Sequence, residues 1–173
     1  MNKPDIIIIV IILIPALIGL KNGFLKSIFS LAGIVAGLFF ATRYNDKITS
    51  ALSFIKTDEK FLSILSFIAI IILTYFIFSY AAGKLSRINP IATAADKLLG
   101  ILFGMLKGLI VASLLLILSE NTLNIFTKNE TDSSVLYSKV ISVAPGVYDY
   151  IKKYFPDAKE FYDELNHIFA GDT

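Results

Sequence analysis

Cysteine is absent from the 173 residues, which excludes a disulfide framework and any thiolate metal site and leaves the redox compartment unreadable. Histidine occurs once, as His167, beside an apolar face near the C-terminus and without a Ser or Asp pairing of any catalytic motif. We therefore expect no enzyme: no catalytic residue, no cofactor site and no metal site. Charge of either sign is scarce, with 16 Lys and Arg against 14 Asp and Glu and a net charge of +2. No dense basic stripe with interleaved aromatics is present, so nucleic acid is not an expected partner.

What the chain has in excess is apolar surface. Hydrophobic residues make up 55% of the sequence and the mean hydropathy is +0.72, a balance too apolar for a soluble domain of this length. Four stretches, 4–20, 24–42, 61–82 and 98–119, each approach the roughly 20 residues that cross about 30 Å of hydrocarbon as helix. Helices are expected because lipid cannot satisfy the edge of an open sheet. The predicted fold class is all-α: an integral membrane four-helix transmembrane bundle over residues 1–120, a linker over 121–133 and a short amphipathic helical C-terminal tail over 134–173.

Punctuation refines this outline. Pro4 suits a first helical turn, while Pro15, inside the first span, should kink it. Only Lys21-Asn22-Gly23 separates spans 1 and 2, so the two must form a tight antiparallel hairpin. Asp5 stands where a signal peptide would carry a basic residue, which argues against cleavage. In the tail, Leu136, Val140, Val143, Val147, Ile151 and Tyr154 recur at helical spacing, Pro145-Gly146 should bend or split that helix, and a second amphipathic stretch follows Pro156-Asp157.

The segment "GILFGMLKGL" (100–109) sets the main puzzle, because it places Lys107 inside an apolar run, where charge is expensive. "GLKNGFLK" (19–26) shares its G-x-x-x-G-x-L-K frame. If the two frames correspond, the second also sits at a membrane surface and Lys107 snorkels to water along its stem. At 100° per residue, Asp96, Gly100, Gly104 and Lys107 fall within about 80° of one another, as do Lys26, Ser30, Gly33, Gly37 and Ala41. Small residues at that spacing let backbones approach closely, so spans 2 and 4 are expected to pack through these stripes. Two readings follow: glycines that only pack and lysines that only reach headgroups, or a hydrated groove lined by Lys26 and Lys107 that attracts an anion or relays a proton.

The order Asp5, apolar run, "GLKNGFLK", small-residue span, apolar span, "ADKLLGILFGMLKG" resembles the CvpA family of colicin V production proteins over residues 4–119. Its best-marked positions fall on Asp5, Gly19, Gly23, Asp96, Lys97, Gly100, Gly104, Lys107 and Gly108, with lysine where the family's first motif is expected to carry arginine. The resemblance implies a multi-pass protein of the bacterial cytoplasmic (inner) membrane, tied to toxin (colicin V) production or export and to envelope homeostasis through non-enzymatic interactions. Some relatives carry a serine protease domain behind the four spans; this tail is too short for one, so no protease activity is expected.

Expected partners are the lipid bilayer and either further copies of the chain, as a homo-oligomer, or other membrane proteins. The alternative function is a small ion or solute channel or transporter, using Lys26 and Lys107 and a re-entrant segment over 91–104. Basic residues divide six to five, Lys21, Lys26, Lys84, Arg87, Lys97 and Lys107 against Lys3, Arg43, Lys47, Lys56 and Lys60, which leans toward both termini lying on the extracytoplasmic side.

Overall fold

The structure, a computed structural model, describes residues 2–55, 57–86, 94–120 and 125–154. Six helices are present among them: α1 (Lys3–Ala51), α2 (Glu59–Ser86), α3 (Ala94–Leu118), α4 (Lys128–Asp132), α5 (Tyr137–Ile141) and α6 (Val143–Lys152). The first three are long and apolar enough to cross a membrane.

At 49 residues, a straight α1 would extend about 73 Å, more than twice the hydrocarbon thickness. It does not run straight. Gly23 has φ 73° and ψ −178°, the one non-helical position inside α1. Before it, Ile12, Pro15 and Gly19 lie against Gly108, Gly104 and Gly100, running antiparallel to α3. After it, Phe24 lies by Asp96 and Phe103, and Ser30 by Lys107, running the same way as α3. The two halves of α1 are therefore antiparallel to each other, and three long helices supply four apolar segments. The interruption falls at Gly23 and not at Pro15, which keeps helical dihedral angles.

α2 packs antiparallel on the second half of α1, with Gly33 against Tyr75 and Phe78 and Gly37 against Ile71 and Thr74. Asp58 caps the start of α2, its side chain accepting the Lys60 N–H at 3.1 Å and its carbonyl the Leu62 N–H at 3.0 Å. α2 and α3 each lean on α1 and scarcely touch one another. The bundle is apolar outside and carries a polar seam inside. Leu13, Leu17, Leu73, Phe76, Leu98 and Leu102 are exposed, whereas Ser27, Ser30, Thr42, Asn45, Ser66 and Ser113 are buried. Lipid makes that inversion favourable, since it solvates leucine well and hydroxyl groups poorly.

The tail folds back onto the spans. α4 occupies part of the stretch expected as linker, started by a Thr127/Glu130 capping box. α5 and α6 lie against α3 and α1, burying Tyr137 and Val140 beside Ile8, Ala112 and Leu116, and Ala144 and Tyr148 beside Leu38 and Ile117. The split between them falls at Ser142, three residues before Pro145. A proline ring displaces the carbonyl four residues earlier, here Ile141, and Ser113 Oγ donates to that carbonyl at 2.7 Å while accepting the Ala144 N–H at 2.9 Å. The second amphipathic stretch, with His167, lies outside the described residues.

Candidate functional site

The residues singled out in sequence form three groups. At the turn in α1, Asp96 Oδ1 accepts the Phe24 N–H at 2.9 Å, so a carboxylate from α3 caps the second half of α1 as a local Asp would. Gly23 permits this twice over. Its positive φ suits glycine, and a methyl added there would overlap the Asp96 carboxylate. Below the turn, methyls at Gly19, Gly100 and Gly104 would overlap the backbones of Gly100, Gly19 and Pro15, and one at Gly108 would lie 2.8 Å from Ile12 Cα.

The two glycine stripes therefore do not face each other as the helical wheel suggested. Gly100, Gly104 and Gly108 press on the first half of α1, while Gly33 and Gly37 press on α2. A glycine stripe states that a backbone can come close, not which one. The hairpin at Gly23 puts the first half of α1 on the glycine side of α3, leaving the second half to take α2. The shared G-x-x-x-G frames do meet, antiparallel, through Gly19 and Gly100.

At the far end of the first half of α1, buried Asp5 holds the tail. Asp5 Oδ1 accepts the Ser134 hydroxyl and the Leu136 N–H (3.2 Å), and Oδ2 accepts the Asn2 N–H at 3.4 Å. Ser134 Oγ in turn accepts the Tyr137 N–H at 3.1 Å. Lys3 pairs with Glu130 at 3.3 Å, and Thr42 Oγ1 donates to Tyr148 OH at 3.1 Å. Ser113, Ser134 and Tyr148 carried no signal in the sequence, because each acquires its role from a partner far along the chain.

Lys107 is the third group. It does not snorkel: it is 4% exposed, its Nζ donates to Ser30 Oγ at 3.2 Å and lies 5.5 Å from the centre of the Tyr75 ring. Ten residues beyond Lys97, it sits about 15 Å along α3, near the midpoint of that helix. The contact with Ser30 joins a residue of each stripe, as the expected pairing of spans 2 and 4 requires. Lys26 is half-buried one turn closer to the membrane surface. Of the expected re-entrant segment over 91–104, residues 94–104 are continuous helix within α3, and 91–93 lie outside the described residues.

Lys107 lines a cleft of about 380 Å³ between α2 and α3. Its walls include Ile64, Phe67 and Ile71 on one side and Val111, Leu114 and Leu118 on the other, with Tyr75 near the amine; Lys26 is not in the lining. No group of three or more His, Asp or Glu that could hold a metal occurs among the described residues. Chemically the site offers the Lys107 amine, beside the Ser30 hydroxyl and the Tyr75 ring, in an otherwise apolar slot.

The family described as colicin V production protein matches residues 4–145, reaching from the start of α1 into α6. No curated protein and no solved structure matches the chain.

Proposed function

Since this chain belongs to the colicin V production protein family, we propose that it is a non-enzymatic component of the bacterial inner membrane that supports colicin V production or export and envelope homeostasis by binding other membrane components. The observation that carries this reading is the character of the cleft. Its walls are aliphatic and aromatic, with a single charge at Lys107, which suits contact with lipid or an apolar partner better than passage of hydrated ions. The outer faces add a second support, being apolar along all three long helices and free for other helices to pack against. Both termini lie on the extracytoplasmic side in this proposal, and the partners are lipid together with further copies of the chain or other membrane proteins.

The test has two arms. In a colicin V producing strain lacking its own family member, expression of this chain restores toxin release. In vesicles, purified protein and its Lys107→Met variant both leave proton and anion flux at the empty-vesicle level. Restoration failing, or flux that depends on Lys107, overturns the proposal, the latter in favour of the conduit. Topology reporters fused after Lys3, Thr57 and Glu130 decide sidedness, with the first and last expected outside.

A further inference from the structure

We propose that the cleft between α2 and α3 binds a single-chain lipid carboxylate, its head on the Lys107 amine and its acyl chain along the slot toward Leu118. The inference rests on the non-enzymatic reading above and names a ligand for the same site.

The cleft is a consequence of helix packing. α1 offers glycines to both neighbours, Gly33 and Gly37 to α2 and Gly19 to α3, so both draw close to α1 and leave an opening between themselves. It opens sideways into the bilayer, for Ile72 and Leu115 on its lining are 48% and 45% exposed. From Lys107 to Leu118 the slot follows eleven residues of helix, about 16 Å, which is close to half the ~30 Å hydrocarbon core and so to the reach of one acyl chain.

Charge complementarity selects the head. A lysine ammonium has three donors; Ser30 accepts from one at 3.2 Å, and the Tyr75 ring faces the cation. None of the cleft-lining residues is acidic. Asp96, the acid of α3, lies about 16 Å away along the axis and caps Phe24. A buried cation lacking a fixed anion is costly, and a carboxylate is the smallest anionic head that offsets it. A phosphodiester brings polar substituents that the aliphatic and aromatic walls of the slot would leave unpaired. Acid meeting free amine gives the same ion pair as carboxylate meeting ammonium, so no net charge need cross the bilayer.

The test uses the full chain in phosphatidylcholine nanodiscs with radiolabelled palmitate and methyl palmitate. We expect saturable binding of one palmitate per chain. The ester should bind at least about tenfold more weakly, the scale of one charge-assisted hydrogen bond, and Lys107→Met should weaken palmitate by a similar factor. Leu115→Trp, which fills the slot from its lipid-facing rim without entering the helix seams, should abolish binding of both and keeps the test open if Lys107→Met does not fold. Equal binding of acid and ester, undiminished binding to Lys107→Met, or no saturable palmitate binding overturns the inference, as does a dimer that covers the cleft and excludes palmitate. Loss of palmitate binding with toxin release intact removes only this inference; loss of toxin release with palmitate binding intact removes only the proposed cellular role.

Discussion

Asp96 and Phe24 are 72 residues apart in sequence, and the carboxylate of the first accepts the backbone N–H of the second at 2.9 Å. One side chain thus joins the start of α3 to the restart of α1 after its turn. It also gives a physical reason for two motif residues at once, since Asp96 reaches Phe24 only because Gly23 has no Cβ in the way.

Replacing Asp96 by Ala should lower stability by about 1–2 kcal/mol, the range for a lost N-cap, with Asp96→Asn retaining most of it. The midpoint of detergent-monitored unfolding reads the difference. Equal loss in both variants would argue that the charge, and not the cap geometry, holds the turn.

Glycines in this chain are not equivalent, and alanine should separate them. Gly104→Ala must push α3 away from Pro15 and Ala16 and should destabilise by about 1–3 kcal/mol, as overpacking does. Gly83 in α2 has nothing within 4 Å of an added Cβ, so Gly83→Ala should stabilise by about 0.5–1 kcal/mol through helix propensity and a less flexible unfolded chain. Thermal melts of the two variants should move in opposite directions.

Ser113 is fully buried and serves both a carbonyl and an N–H at the break before Pro145. Ser113→Ala leaves both groups unpaired and should cost about 1–3 kcal/mol. Amide exchange in residues 137–148 should speed up while exchange in α2 does not. Asp5→Ala should produce the same local signature by releasing Ser134 and Leu136.

The α4 cap should respond to pH. Hydrogen bonds from the Thr127 N–H and hydroxyl, together with Lys3, hold the Glu130 carboxyl below its ordinary value of 4.5. A depressed carboxylate value means the contribution is fully present above the ordinary range and is lost as pH falls through the lower folded value. Amides of 128–132 should therefore be protected at neutral pH and exchange faster, relative to the chemical rate, below about pH 4.5. Glu130→Gln should flatten that profile.

Hydropathy along the chain was enough to establish an all-helical membrane protein with four apolar segments, because burial in lipid depends on the composition of each segment and hardly on its neighbours. The reversal at Gly23 was equally legible, since three residues cannot bridge two spans in any other way. Membership of the colicin V production family could be read from Asp5, Gly23, Asp96 and the glycine frames before any of their contacts were known.

Only the tertiary structure decided which faces meet. The wheel put the glycines of spans 2 and 4 on matching stripes, yet they pack on different helices, because small residues permit approach without naming a partner. Lys107 was placed at a water boundary by analogy with Lys26, and it lies in the interior because Ser30 and Tyr75, from two other segments, converge on it. The tail's docking on Asp5, Thr42 and Ser113 was hidden for the same reason. A hydrogen bond between residues a hundred positions apart leaves no periodic trace in the sequence; it exists only once the chain has folded back on itself.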